Sequence, residues 1–290
     1  MKNGMILVQG KQYEKILEKL KEIPFNTLFA RAVLEYRVPG SVFVDNVDEP
    51  KTFYIVHSYG MSLLFGDTEN EPFNTSLSDY MLNINYHRFK QELLQVYPEK
   101  WNEKLKEILN HKIIDYSKIQ DKYSQTELDT FIEKSRKNHV IQWRRVNFKY
   151  KAINKLLDTQ TEYNIKLITS DIYDLIEGTV IPCYFWNSKE QFLLEGIGYA
   201  LMKGNDIVSI AFSSCIFENQ LEIGVETSKY YRGMGLGKYV CAQMLTYCKT
   251  NNYIPIWACR KENVGSYKLA KSLGFEECFT LPYYELVFSH

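Results

Sequence analysis

The sequence carries no excess of charge of either sign and no long hydrophobic run. Its 290 residues hold 35 lysines and arginines against 35 aspartates and glutamates, so the formal net charge at pH 7 is zero. A balanced chain lacks the basic surface that binds nucleic acid or acidic membranes. No apolar run approaches the roughly 20 residues of a membrane-spanning helix. We therefore expect no nucleic-acid partner and no membrane partner.

The beginning of the chain also lacks the features of a secretory signal. The first twenty residues, MKNGMILVQGKQYEKILEKL, contain neither a continuous apolar core nor a cleavage site of small residues. They read instead as a short strand followed by an amphipathic helix. These observations predict a cytoplasmic protein.

Cysteine is present but not in metal-binding patterns. None of the six cysteines forms a C-x-x-C pair, and no histidine lies near one at ligand spacing, so no metal is expected. Cys241 and Cys248 lie seven residues apart in a predicted helix, and the favoured interpretation is that both thiols face the core. A catalytic thiol would need an activating base, and none is close in sequence.

One stretch combines a strand, a glycine-rich turn and a helix start. Residues 221–238 read LEIGVETSKYYRGMGLGK, in which an alternating strand gives way to Arg232 and three glycines. A helix N-terminus offers free N–H groups and the positive end of the peptide dipole, and glycines let an anion approach those groups closely. The stretch is therefore suited to bind phosphate. Its spacing fits neither the dinucleotide fingerprint nor the Walker motif.

This stretch resembles motif A of the GNAT acetyltransferase superfamily, R/Q-x-x-G-x-G/A, here Arg232-x-x-Gly235-x-Gly237. The following segment, PIWACRKENVGSYKLAKSLGFEE, is similar to strand five and motif B of that family, with Asn263 before the helix and Gly274 after it. The combined pattern resembles a narrower group that includes the zwittermicin-resistance type of acetyltransferase. The resemblance is strong over 196–275.

The resemblance implies an α/β (α+β) fold in two domains. Residues 146–290 would form a GNAT domain, with a mixed, mostly antiparallel sheet, splayed central strands and flanking helices. Residues 1–145 would form an N-terminal α/β domain that helps to shape the acceptor site. Its helix–strand–strand–strand–helix order leaves open that it is a degenerate GNAT-like half.

Hydrophobic periodicity sets the expected elements. In the first half it predicts helices over 12–20, 26–36, 77–96, 101–109 and 126–137, with strands over 42–44, 52–57 and 62–65. In the second half it predicts strands over 196–202, 206–217, 221–227, 254–259 and 279–288, and helices over 235–250 and 263–273.

The resemblance also implies acetyl-coenzyme A (acetyl-CoA) as co-substrate. The fourth-strand backbone would line the pantetheine arm, the amides of the glycine turn would hold the diphosphate, and the start of the motif B helix would reach the arm from the other side. The implied cofactor-binding residues are Val225, Thr227, Arg232, Gly233, Met234, Gly235, Leu236, Gly237, Lys238, Asn263 and Ser266.

Acetyl transfer to an amine needs a base, because the amine must lose a proton. Glu222 and Glu226 lie four apart in one strand and so share a face. Glu222 matches the position where some GNAT enzymes keep a general base, and Glu226 lies nearer the expected thioester; we favour Glu222. A carboxylate among apolar neighbours has a raised pKa and is a better base near neutrality. The alternative is that both glutamates are solvated on an exposed face.

The acid that protonates the leaving thiolate is less clearly marked. Many GNAT enzymes carry a tyrosine seven residues after the motif B asparagine, where this chain has Ala270. Tyr267 lies one helical turn earlier on a similar face and is the candidate that remains. Solvent protonation is the alternative.

The predicted function is an acetyl-CoA-dependent N-acetyltransferase, a transferase acting on a small-molecule amine. Three alternatives stay open: a protein or peptide amine as acceptor, another acyl group, and a non-catalytic acyl-CoA-binding sensor, which the Ala270 departure motivates. A homodimer is compatible with the sequence.

Overall fold

The computed structural model describes residues 4–10, 12–86, 88–151 and 162–288. Clustering of the chain by proximity gives two units. Unit 1 comprises Met1–Arg145 with Thr280–His290, and unit 2 comprises Val146–Phe279. The unit changes between Arg145 and Val146 and again between Phe279 and Thr280. Residues 280–290, assigned to the second domain from sequence, cluster with unit 1.

Unit 1 alternates helices with short strands. Its elements are β1 (Ile6–Val8), α1 (Gln12–Leu20), α2 (Leu28–Leu34), β2 (Gly40–Val44), β3 (Thr52–His57), β4 (Met61–Gly66), α3 (Glu71–Met81), β5 (Leu93–Tyr97), α4 (Lys100–Leu109), β6 (Ile113–Asp115), α5 (Gln125–Ser135) and the start of β7 (Val140–Tyr150). Strands β1 to β4 form an antiparallel series, and β5 pairs parallel to β4. Helices α3 and α4 pack on this sheet through a buried apolar cluster that includes Phe73, Leu77 and Trp101.

The helix predicted over 77–96 is wrong in its second half. Helix α3 ends at Met81, and residues 93–97 form β5. The buried Arg88 guanidinium donates to the carbonyls of Tyr80 and Met81 at 3.0 Å each, so it satisfies acceptors that a continuing helix would use. The turn-like backbone of Asn83, with φ 53°, completes the break. Neither feature has a periodic signature in the sequence.

Unit 2 repeats the same order of elements. After the end of β7 come β8 (Asn164–Leu167), α6 (Ser170–Tyr173), α7 (Lys189–Glu195), β9 (Gly198–Lys203), β10 (Asp206–Phe217), β11 (Gln220–Thr227), α8 (Gly237–Thr250), β12 (Ile254–Arg260), α9 (Val264–Ser272) and the first part of β13 (Phe275–Glu285). Strands β8 to β11 are antiparallel, and β12 runs parallel to β11. The strands predicted over 196–202, 206–217 and 221–227 form an antiparallel meander, and the predicted mixed, mostly antiparallel sheet is confirmed.

Helix α8 packs on unit 2 through its apolar face. Val240, Cys241, Met244 and Cys248 are all buried in the same cluster as Leu221 and Trp257. The prediction that Cys241 and Cys248 face the core is therefore confirmed. Burial raises the pKa of the Cys248 thiol to about 12, so this thiol stays protonated.

Two absences can be stated for the described residues. Among them no helix is both long and apolar enough to cross a membrane. The same residues contain no group of three or more histidine, cysteine or acidic side chains placed to hold a metal ion.

Candidate active site

Strands β11 and β12 of unit 2 pair over only three residues and then separate. Their register is Gln220 with Ile254, Leu221 with Pro255 and Glu222 with Ile256, and it ends there. Beyond it β11 runs on to Thr227 and β12 to Arg260, while β11 stays paired with β10 as far as Thr227. The central strands are thus splayed, as predicted, and Glu222 lies at the apex of the gap.

Backbone groups of β11 line one side of this gap. The Ser228 N–H donates to the Val208 carbonyl at 3.0 Å, so Ser228 directs its backbone groups towards β10. Successive residues of a strand direct theirs to opposite edges. The N–H and C=O groups of Val225 and Thr227 therefore face away from β10, towards the gap. Both residues are where the sequence analysis places the lining of the pantetheine arm.

The turn between β11 and α8 is shaped by left-handed glycines. Gly233 has φ 80° and Gly235 has φ 72°, conformations that favour glycine. A Cβ placed on either residue would have no protein atom within 4 Å, so the space beside both is open. At Gly237, in contrast, a Cβ would lie 3.2 Å from Thr227 Oγ1, so this glycine lets the helix approach the strand. Helix α8 begins at Gly237 rather than at 235, because Gly235 is not helical.

The start of α8 has no side-chain cap. Its N-cap residue, Leu236, is buried and caps the helix with no side-chain hydrogen bond, while its carbonyl accepts from the Tyr239 N–H at 3.1 Å. Helices α3 and α9 differ, because Asn70 and Asn263 respectively cap them with side-chain oxygens. Uncapped N–H groups at the positive end of a helix dipole form a site for an anion. Of the other predicted residues, Met234 is exposed and the Lys238 ammonium lies over the Tyr239 ring, 5.2 Å from its centroid.

Asn263 and Ser266 lie at the start of α9, which follows β12. The Asn263 Oδ1 accepts from the Ser266 N–H at 3.2 Å, and the Ser266 hydroxyl accepts from Trp257 Nε1 at 3.2 Å. The Asn263 side chain is therefore bound to the Ser266 backbone and the Ser266 side chain to β12, on the opposite side of the gap from Val225 and Thr227.

Glu222 is a buried carboxylate. Only 8% of the residue is exposed, and its neighbours across the two adjoining strands are Cys215 and Ile256. The Glu226 side chain is 10% exposed. The alternative that both glutamates are solvated on an open face is therefore wrong, because the sheet face that carries them is covered.

Glu226 is held by four hydrogen bonds. Its Oε2 accepts from the Thr179 N–H at 3.0 Å, the Thr179 hydroxyl at 3.1 Å and the Val180 N–H at 3.0 Å, while its Oε1 accepts from Arg232 Nη2 at 3.0 Å. Burial alone would raise the pKa of Glu226, but these bonds outweigh it and the pKa lies below its ordinary value. The expectation of a raised pKa is wrong for this residue.

Tyr267 is engaged with a carboxylate. Its hydroxyl donates to Glu277 Oε1, which raises the pKa of the tyrosine above its ordinary value. Its ring packs edge-on against Phe148, with centroids 5.7 Å apart. Ala270, where the family resemblance places a tyrosine, is fully buried in the core of unit 2, so a larger side chain has no space there.

Sequence reasoning missed the loop that Glu226 holds. Gly178, Thr179 and Val180 belong to the segment between α6 and α7, in which only the glycine signalled a turn. Residues 175–178 of this segment, with 205–207, 209–210 and 226–232, line a cavity of about 720 Å³. Of the aromatic residues later in this segment, Phe185 and Trp186 are buried, whereas Tyr184 is about half exposed.

The corresponding strands of unit 1 are not splayed. Strands β4 and β5 pair in parallel from Met61 with Leu93 to Phe65 with Tyr97, along the whole of β5. The turn that follows β4 carries Asp67 and Glu69, and Asn70 already caps the next helix through a bond to the Phe73 N–H at 3.1 Å. Unit 1 thus has neither an open gap nor an uncapped helix end at this position.

Comparisons with known proteins agree with this geometry. The profile of the family described as GNAT acetyltransferase matches residues 18–284. An uncharacterised N-acetyltransferase of Bacillus subtilis, YdfB, is 28% identical over 252 residues, 86% of each chain. A GCN5-related N-acetyltransferase-like protein from Streptococcus suis superposes with a TM-score of 0.65 at 21% identity, over 95% of this chain and 98% of that one. A tandem GNAT protein from the clavulanic acid biosynthesis pathway gives 0.58 at 9% identity over 99% of both chains. The two structures show likeness of fold alone.

Proposed function

The chain belongs to the GNAT acetyltransferase family and is therefore an acyltransferase, and we propose that it transfers an acetyl group from acetyl-CoA to a primary amine of a small molecule. The observation that carries this proposal is the gap that opens at Glu222 between β11 and β12, beside the uncapped glycine turn. It combines a slot bordered by strand backbone with an anion site at one end.

The residues of the turn fit the diphosphate of acetyl-CoA. Open space lies where a Cβ would stand on Gly233 and on Gly235, and the N–H groups at the start of α8 are not capped by a side chain. Arg232 adds a cation that is 62% exposed. Val225 and Thr227 would bind the pantetheine amides with their backbone, and Asn263 and Ser266 would close the other side. When bound, acetyl-CoA supplies the thioester carbonyl that the amine attacks.

Glu222 is the general base in this proposal. It lies at the apex of the gap, on a strand whose backbone would fix the cofactor, and it is buried between its cross-strand partners Cys215 and Ile256. Its carboxylate would take the proton from the amine directly or through one water. Glu226 is a weaker base, because four hydrogen-bond donors already bind its oxygens and stabilise the ionised form.

Tyr267 is the proposed donor of a proton to the leaving thiolate. Its raised pKa keeps the hydroxyl protonated over the working pH range, as an acid requires. The hydrogen bond to Glu277 orients the hydroxyl. It would have to break so that the hydroxyl can donate its proton to the thiolate.

Unit 1 is, in this proposal, a degenerate half that binds no acetyl-CoA. The fully paired β4 and β5 leave no slot, and Asp67 and Glu69 would repel a diphosphate. The chemistry therefore belongs to unit 2.

A turnover assay with a panel of primary amines and detection of released thiol tests the function. Small-molecule amines, peptides with free N-termini and lysine peptides are compared at equal acetyl-CoA. We expect amine-dependent thiol release with the small molecules. Thiol release with peptides alone would show that the acceptor is a peptide or protein amine rather than a small molecule. Tight binding of acetyl-CoA without any thiol release would favour a sensor.

A further inference from the structure

The carboxylate of Glu226 holds a loop of unit 2 in place. Its Oε2 alone accepts three hydrogen bonds from Thr179 and Val180, all between 3.0 and 3.1 Å. Gly178 approaches so closely that a Cβ there would lie 2.7 Å from Glu226 Cγ. The loop is therefore built around this side chain, and its glycine is required by the contact.

The same carboxylate holds the first residue of the glycine turn. Its Oε1 accepts from Arg232 Nη2 at 3.0 Å, and Arg232 Nε donates to the Thr227 carbonyl at 3.0 Å. Two of the guanidinium nitrogens are thus fixed by β11, while the side chain keeps 62% of its surface exposed. A diphosphate at the turn would meet a cation whose position is set by Glu226.

The segment that leads into the loop and the first residue of the turn line the same cavity. Leu175 to Gly178 and Glu226 to Arg232 both line the space of about 720 Å³. This volume lies within the usual range for small-molecule sites. The carboxylate of Glu226 therefore joins the loop to the turn, with Oε2 bound to the loop and Oε1 bound to Arg232.

From this geometry we infer that Glu226 is a positioning residue that couples the diphosphate-binding turn to the 178–180 loop, and that it does not remove the acceptor's proton. The inference rests on the proposed function, because it assigns the turn to the diphosphate. Binding of the diphosphate at Arg232 then orders the loop that forms part of the acceptor side, so cofactor and acceptor bind cooperatively.

Steady-state kinetics of Glu226→Gln separate this role from that of a base. The amide can still accept from the loop but presents no charge to Arg232. We expect the KM values for both acetyl-CoA and amine to rise about tenfold, the loss of one charge-assisted hydrogen bond, with kcat within about threefold and the pH profile unchanged. Glu226→Asp, which keeps the charge, should recover part of the loss, and the exposed Glu276→Gln is the matched control. A fall in kcat of about a hundredfold or more, with loss of the acidic limb, would overturn the inference.

Amide hydrogen exchange measures the coupling without turnover. In the wild-type protein, coenzyme A should slow exchange of the Thr179 and Val180 amides about tenfold. In Glu226→Gln and in Arg232→Gln the two amides should exchange faster and should no longer respond to coenzyme A at saturation. An unchanged response in either variant refutes the coupling. If calorimetry shows that coenzyme A does not bind the wild type at all, the proposed function fails instead.

Discussion

Glu222 and Ile256 are the last residues that pair β11 with β12, and the two strands separate immediately beyond them. A buried carboxylate thus lies where the sheet opens. Because backbone groups of Val225 and Thr227 border the same opening, whatever binds there is aligned with Glu222 at its closed end.

Glu222→Gln should remove the base and leave the binding site intact. We expect kcat/KM to fall by about 10² to 10⁴, the usual contribution of general base catalysis, and the acidic limb of the pH–rate profile to disappear. Coenzyme A affinity, measured by calorimetry, should change less than about twofold, because the side chain is not part of the turn. The control is Glu276→Gln, because Glu276 is a half-exposed carboxylate of unit 2 that pairs with Lys151. A variant that keeps its rate and its pH profile would exclude Glu222 as the base.

Gly235→Ala should weaken cofactor binding by filling the open space at the turn. The residue has φ 72° and no protein atom within 4 Å of a Cβ, so the substitution costs about 1 to 2 kcal/mol of backbone strain without a protein clash. Gly204 in the β9–β10 hairpin is a matched control, with φ 59° and equally open surroundings. Both variants should lose similar stability in urea unfolding, but only Gly235→Ala should raise the Kd for coenzyme A, by about tenfold or more. Equal affinities of the two variants for coenzyme A would show that the turn is not part of the cofactor site.

Each chain should bind one molecule of coenzyme A. Unit 1 repeats the element order of unit 2, yet its β4 and β5 stay paired and the turn after β4 carries the acidic Asp67 and Glu69, whereas the turn after β11 carries the basic Lys229 and Arg232. Titration calorimetry should therefore give a stoichiometry of about one per chain. Gly235→Ala should weaken all of the coenzyme A binding that the calorimeter detects. A second site that survives this substitution would show that unit 1 also binds cofactor.

Local signals in the sequence predicted the parts of the site that depend on backbone. The glycines of the turn, the strand before it and the asparagine cap of α9 each have a pattern that a short window reveals. The three strands of the meander followed from the sequence pattern and the splayed strands from the resemblance to a family, and the structure confirms both.

Contacts between distant segments could not be predicted in this way. The prediction for Glu226 used only the alternation of residues in β11. Its environment, however, is set by Thr179 and Val180, about 46 residues earlier in the chain. In the same way, Arg88 ends α3 by reaching back to Tyr80 and Met81, although the apolar spacing of 77–96 favoured a longer helix. In both cases the polar contacts of one side chain decided the outcome, and such contacts leave no periodic pattern in the sequence.

Tyr267→Phe tests the proposed acid. Removal of the hydroxyl should lower kcat by about tenfold to a hundredfold, at the low end of general acid catalysis because a thiolate is a good leaving group. The KM for acetyl-CoA should be nearly unchanged, since the ring and its packing on Phe148 remain. Tyr253→Phe, a tyrosine stacked on Tyr247 in the same unit, serves as the control. A full rate in Tyr267→Phe would leave solvent as the proton donor.

The stability of the Glu226 contacts should depend on pH with a definite sign. The folded-state pKa of Glu226 lies below the ordinary value of 4.5, because the amides of Thr179 and Val180, the Thr179 hydroxyl and Arg232 stabilise its charge against the effect of burial. The stabilisation is therefore fully present above about pH 4.5 and is lost as the pH falls through the folded-state pKa. Glu226→Gln has no such dependence, and the other carboxyl groups are common to both proteins and cancel in the difference. Urea unfolding should give a difference in free energy of about 1 to 3 kcal/mol near neutral pH that shrinks steadily in acid. A difference that stays constant down to about pH 3 would show that the bonds to Glu226 do not require its charge.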